Sequence, residues 1–157
     1  MNKQILKIQS KNIAIILMIA IFFMADRYLK FLAVNSQGKP AVELIGSFFS
    51  FEFTPNYYIA FSLPLQGFWL NSVISLIILA IIAFLIKSIR NKENKLFISG
   101  LSLILIGAIS NLIDRLQSGY VIDYLYLKHF TVFNLADVCI SLGAIIILFS
   151  LNKKPSR

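Results

Sequence analysis

The chain holds 157 residues, 58% of them hydrophobic and only 14% charged, with a mean hydropathy of +0.79. A water-soluble domain of this size has too much surface to cover with so few polar groups, so a soluble globular fold is excluded and lipid is the remaining solvent. The net charge of +8 would raise nucleic acid as a partner in a soluble protein. Here the basic residues lie between apolar runs without a basic-aromatic stripe, so no nucleic-acid partner is expected.

In chain order, Lys3, Lys7 and Lys11 precede an apolar stretch, as they would in a secretory signal peptide. No A-x-A-like cleavage site follows, and the run continues through Asp26, Arg27 and Lys30, so residues 12–34 are expected to be a retained first helix. Residues 35–67 make a connection too long for a simple hairpin. Between Glu43 and Thr54 aromatic and small polar residues alternate at a strand-like period, which predicts a small extracytoplasmic β-rich segment lying on the membrane. An interfacial aromatic belt without regular structure is the alternative.

Residues 68–86 then run for 19 positions without a charge and residues 96–113 for 18, each close to the ~20 that a bilayer-spanning helix needs. Spans are accordingly expected at 68–87 and 96–115, and a fourth at 132–151, with Asp137 near its start. No Pro/Gly/Ser-rich linker or internal repeat divides the chain, so residues 1–157 read as a single domain. The expected fold is an all-α integral membrane four-helix bundle, with the β-rich segment between helices 1 and 2. The single cysteine, Cys139, reads as a small packed hydrophobe, and no CxxC or HExxH pattern points to a metal or other cofactor.

Basic residues set the orientation. With both termini cytoplasmic, the inner side receives Lys3, Lys7, Lys11, Lys87, Arg90, Lys92, Lys95, Lys153, Lys154 and Arg157, ten of the fifteen. Six of the seven acidic residues, all but Glu93, then fall on the outer side. The polar chemistry is therefore expected at the outer boundary.

Ionisable groups within spans are costly, and each is a candidate for function. Asp123 lies in the short connection after the third span, and Asp137 follows fourteen residues later, one turn into the fourth. A connection of that length can fold back and bring the two carboxylates together. Two carboxylates at close range in a low dielectric share a proton. Such a pair can activate water with its ionised member and polarise a scissile carbonyl with its protonated one. An ion-binding site or a structural pair fits the same two residues.

On the third span Gly107, Asn111, Asp114 and Arg115 fall at spacings of three and four. Gly107 would admit close backbone approach, Asn111 could bond a peptide, and Arg115 could clamp a carboxylate; a polar cluster that merely locks the bundle is the alternative. Asn134, Asp137 and Ser141 form a matching stripe on the fourth span, expected to face inward. Asp26 and Lys30 form an i,i+4 pair that reads as structural. Asn56 alone reads as a turn residue.

Taken together, Asp26-Arg-Tyr-Leu-Lys30, Asn56-Tyr-Tyr-Ile-Ala-Phe61, Gly107-Ala-Ile-Ser-Asn-Leu-Ile-Asp-Arg115, Val121-Ile-Asp-Tyr124 and Phe133-Asn-Leu-Ala-Asp137 resemble, in order, the motif blocks of bacterial lipoprotein signal peptidases (signal peptidase II). The resemblance covers nearly the whole chain. It implies an aspartyl endopeptidase of the bacterial cytoplasmic membrane that cuts diacylglyceryl-modified prolipoproteins before the lipidated cysteine. It implies Asp123 and Asp137 as the catalytic dyad. Asn56, Asn111, Arg115 and Asn134 would position substrate or dyad, with Asp26, Lys30, Gly107 and Asp114 supporting the architecture. The chain departs from the family at Tyr58, usually glycine, at Ala108 and Ser110, often glycine, at Tyr124, commonly phenylalanine, and at Leu29, usually a small hydroxyl residue. Tyr58 bears most on substrate fit. Competing expectations are a catalytically silent relative that binds lipoprotein precursors, and a small ion or proton transporter.

Overall fold

The computed structural model describes residues 3–57 and 67–152, with side chains from residue 17 onward. Tyr58 and the rest of the end of the first long connection lie outside that description, as do Lys153, Lys154 and Arg157 and the side chains of Lys3, Lys7 and Lys11. The described residues form four helices: α1 (Lys3–Asn35), α2 (Gly67–Arg90), α3 (Lys95–Ser118) and α4 (Leu135–Leu151). The most apolar stretches of α2 and α3 have mean hydropathies of 2.6 and 2.2, long and apolar enough to cross a membrane. Only 11% and 33% of those stretches is buried. Exposed apolar faces of this extent need lipid against them.

The fourth helix is shorter than the sequence implies. Its 17 residues, about 25 Å at the α-helical rise, begin at Leu135 because residues 131–133 form a strand and Asn134 caps the helix. The sheet is correspondingly larger than the expected segment between the first two helices. It has four antiparallel strands in sequential order: β1 (Val42–Ile45), β2 (Phe49–Asn56), β3 (Val121–Leu127) and β4 (Thr131–Phe133). Half of it thus comes from the connection between α3 and α4. The β2–β3 pairing brings Thr54 opposite Asp123 and Asn56 opposite Val121, with a register irregularity between Phe51 and Thr54. Asn56 therefore ends a strand instead of making a turn, and Asp123 stands in β3 instead of a loop.

The sheet sits where α1 and α3 end and α4 begins. Ala33 of α1 packs with Ile122 and Tyr124 of β3 in a small core, flanked by Leu29, Phe51 and Leu135. Gly119 closes α3 in the left-handed region (φ 82°), and its N–H donates to the Arg115 carbonyl. That reversal, easy for glycine, feeds the chain directly into β3 and sets Asp123 against the helix ends.

Helices α3 and α4 approach closely through small residues. A Cβ at Gly107 would meet the Ala136 carbonyl oxygen at 2.4 Å, and one at Gly143 would meet the Gly100 carbonyl oxygen at 2.6 Å. In lipid such van der Waals contact between backbones replaces the hydrophobic drive that holds soluble helices together. Gly143→Val must push the helices apart, and overpacking of this kind costs about 1–3 kcal/mol. We expect its thermal midpoint in detergent to fall by at least about 3 °C. Melting at the wild-type temperature would show that the close approach is dispensable.

Candidate active site

Asp123 and Asp137 meet through Asn134, which is fully buried. Asn134 Nδ2 donates to Asp123 Oδ1 at 2.7 Å, and its backbone N–H donates to Asp137 Oδ2 at 3.2 Å. In return the Asp137 N–H donates to Asn134 Oδ1 at 2.9 Å, completing a capping box at the start of α4. Such a box satisfies two of the N–H groups that a helix start leaves open. It also holds the Asp137 carboxylate in the first turn, where the helix dipole complements negative charge.

Each carboxylate has a second amide. Asn56 Nδ2 donates to Asp123 Oδ2 at 2.9 Å, and Asn111 Nδ2 donates to Asp137 Oδ1 at 2.8 Å. All four carboxylate oxygens are thereby engaged. The Asn111 side chain is committed to Asp137, and its Oδ1 accepts from Asn134 and Lys30. Arg115 reaches toward the Asn111 carbonyl at 3.5 Å and lies in the electrostatic field of Asp137, Asp123 and Asp114.

Behind this pair lies a buried ionic cluster. The Lys30 ammonium, itself buried, donates to Asp26 Oδ2 at 3.1 Å, Asp114 Oδ2 at 2.7 Å and Asn111 Oδ1 at 2.8 Å, using all three of its donors. Asp114 also pairs with Arg27 and accepts from the Ile122 N–H at 3.2 Å. Asp26 further accepts from the Ser110 hydroxyl at 2.6 Å, the Tyr124 hydroxyl at 3.0 Å and the Ala136 N–H at 3.1 Å. Buried ions persist only when paired and hydrogen-bonded in this way.

Sequence reading did not single out Arg27 or the hydroxyls of Ser110 and Tyr124 as parts of the cluster. Arg27 follows Asp26 directly and would have been found by pairing the charges of the first helix with those of the third. Burial raises the Tyr124 phenol far above its ordinary range, so it remains a donor to Asp26 while accepting from the Leu135 N–H at 3.0 Å. Ser141, expected to face inward, is exposed; only Asn134 and Asp137 of that stripe join the site. Gly107 lies against Ala136, where its missing side chain lets α4 bring Asp137 to Asn111.

Burial pushes the Asp123 carboxyl up to about 7, with the neighbouring Asp137 adding to the rise. Its bonds from Asn56 and Asn134 and the charge of Lys30 pull the other way. The pair is therefore built to hold a proton near neutral pH. Carboxyl infrared or carbon NMR titration should give Asp123 a midpoint near 7. Asp137→Asn, which removes the adjacent negative charge, should lower that midpoint. A midpoint at the ordinary ~4 of a solvated aspartate in the wild type would rule out the shared proton.

A family model described as signal peptidase (SPase) II matches residues 18–153. A lipoprotein signal peptidase of Clostridium tetani is 36% identical over 149 residues, covering 88% of this chain and 92% of the relative. One of Moorella thermoacetica is 37% identical over 141 residues, covering 86% and 91%. Among solved structures, a bacterial membrane enzyme superposes with a TM-score of 0.78 over 92% of this chain and 93% of its own, at 24% identity. A second, at 25% identity, gives 0.75 over 90% and 94%.

Proposed function

The chain belongs to the signal peptidase II family, and on that premise we propose that Asp123 and Asp137 are the aspartyl dyad with which it works. It is an aspartic-type peptidase that removes signal peptides from lipoprotein precursors. The observation that carries the dyad assignment is the bridging of both carboxylates by one buried residue, Asn134. A side chain and a backbone amide separated by a few bonds hold the two acids in one place.

Charge balance supports a single shared proton. The polar end of the bundle gathers four carboxylates, Asp26, Asp114, Asp123 and Asp137, against three cations, Arg27, Lys30 and Arg115. In a low dielectric the surplus negative charge is costly, and one proton removes it. We assign that proton to Asp123, whose carboxyl is raised to about 7. Asp137 takes a proton from water as the water oxygen attacks the scissile carbonyl carbon. Asp123 gives its proton to the developing oxyanion. As the tetrahedral intermediate collapses, the C–N bond breaks and the proton held by Asp137 passes to the leaving amine, while the oxyanion proton returns to Asp123. The dyad is thereby restored.

The basic connection between α2 and α3, with Lys87, Arg90, Lys92 and Lys95, lies at the opposite end of the bundle from the sheet. By the charge bias of membrane topology that end is cytoplasmic, and so are the termini, with their lysines and Arg157. The dyad then lies at the outer face of the bacterial cytoplasmic membrane. There it can reach a diacylglyceryl-modified precursor whose acyl chains and signal helix are both in the bilayer, and cut before the lipidated cysteine. The four spans run through the regions of α1, α2, α3 and α4.

Purified protein should cleave a diacylglyceryl-modified prolipoprotein before that cysteine, with a chelator present and no added metal. Asp123→Asn and Asp137→Asn should each lose about 10⁴-fold in kcat or more while remaining folded. Turnover within about tenfold of wild type by either folded variant would sink the dyad. Because the shifted carboxyl must keep its proton, kcat/KM should fall as pH rises above about 7. A profile flat from pH 6 to 9 would take Asp123 out of the acid role.

A further inference from the structure

Lys30 does more in this geometry than balance charge. We propose that Lys30 is a positioning residue for peptide cleavage: its ammonium fixes which end of the Asn111 amide faces Asp137. This rests on the dyad reading above and extends it one residue inward, from α3 to α1.

An asparagine amide has an accepting oxygen at one end and two donating N–H bonds at the other. Asn111 Oδ1 accepts from Lys30 Nζ at 2.8 Å and from Asn134 Nδ2 at 3.2 Å, while Asn111 Nδ2 donates to Asp137 Oδ1 at 2.8 Å. Lys30 has donors only. Turned over, the amide would set its N–H groups against an ammonium and its oxygen against a carboxylate, unfavourable at both ends. Lys30 at one end and the Asp137 carboxylate at the other thus favour the same orientation, and the donor-only ammonium holds it whether Asp137 is ionised or protonated. Lys30 is itself immobilised, since its remaining donors are held by Asp26 and Asp114 and its side chain is 1% exposed. Deep burial of a lysine is costly, and here it delivers a fixed donor to the residue that touches Asp137.

The same polarity continues through Asn134. Because Asn111 Oδ1 is held as an acceptor, Asn134 must present Nδ2 toward it, and Nδ2 is also what reaches Asp123 Oδ1 at 2.7 Å. The buried ammonium thus reinforces at Asn134 the direction that the capping bond from the Asp137 N–H also requires. The charged groups facing Asp123 are Lys30 from α1, Arg115 from α3 and Asp137 from α4, with Asn56 from β2 as a neutral donor.

The test is a double-mutant cycle read in kcat, KM and pH profile. Lys30→Met in the wild-type background should lower kcat about tenfold or more, the worth of one hydrogen bond to a charged group, with KM little changed. Its descending pH limb should move upward, because the positive charge that pulls the Asp123 carboxyl down is gone. In an Asn111→Ala background the same substitution should cost less than about threefold, since the residue it acts through is absent. A purely structural lysine would cost the same in both backgrounds, and that result overturns the proposal. So does a folded Lys30→Met enzyme with wild-type kcat and an unmoved limb. Should Lys30→Met not fold, Asp26→Asn/Lys30→Met restores charge balance, and the cycle is run from Asp26→Asn, with the same loss expected. Failure of the underlying dyad would be seen separately, as turnover by Asp123→Asn.

Discussion

A helix that starts at the edge of a bilayer presents N–H groups with no partner one turn below, and in lipid an unmet N–H is heavily disfavoured. In α4 those groups are met by Asn134 and Asp137 themselves, through the reciprocal bonds of a capping box. The same two side chains then bond outward, Asn134 to Asp123 and Asn111, Asp137 to Asn111. Satisfying the helix start and bringing Asp123 and Asp137 together, the proposed dyad, are one structural event. This is why the fourth helix begins at Leu135 and why β4 must end at Phe133: a helix begun earlier would rotate both residues off the junction.

The second constraint is charge. Four acids and three bases sit where water is scarce, and each has a direction in which it can be satisfied. Lys30 donates to Asp26, Asp114 and Asn111; Asp114 accepts from Arg27, Lys30 and the Ile122 N–H of β3. Asp26 joins α1 to the start of α4 through the Ala136 N–H. The result is a polar plug tying three helices and β3 together on one side of Asp123 and Asp137. Support of this kind holds two carboxylates in fixed geometry, as the proposed dyad requires. α2 contributes none of these ions. It packs against α3 and turns an almost wholly apolar surface outward, a wall toward lipid.

Much of this was legible in the sequence, and the limits have physical reasons. The apolar runs of α2 and α3 are uninterrupted, so their ends were located within a few residues. Asp137, Asn111, Asn134 and Lys30 stood out as charge and amide groups within apolar runs, and Asp123 as a carboxylate in the short connection between two of them. The start of α4 was misplaced because Thr131, Val132 and Phe133 are as apolar and β-branched as a helix or a strand could use; only pairing with β3 decides between them. The larger sheet was hidden for the same reason, since the paired ends of β2 and β3, Asn56 and Val121, lie far apart in the chain and periodicity carries no information on long-range partners. Ser141 failed because the face of α4 packed on α3 runs through Ala136, Ile140 and Gly143, and the serine falls beside that seam on a surface turned outward.

Tyr124 shows how a departure from a family pattern can be absorbed locally. Where phenylalanine is common, this chain places a hydroxyl at a fully buried position, which would be destabilising without partners. Both partners are already present for other reasons: Asp26 has an accepting oxygen turned toward β3, and the Leu135 N–H is one of the open donors at the start of α4. The hydroxyl bridges them, linking the carboxylate of α1 to the first residue of the helix that carries Asp137. The aromatic ring meanwhile keeps its packing against Phe51 at 5.5 Å between centroids. The hydroxyl thereby adds one tie between the ionic cluster and the capped helix, so that α4 is held at its first turn by side chains from α1, α3 and β3 together.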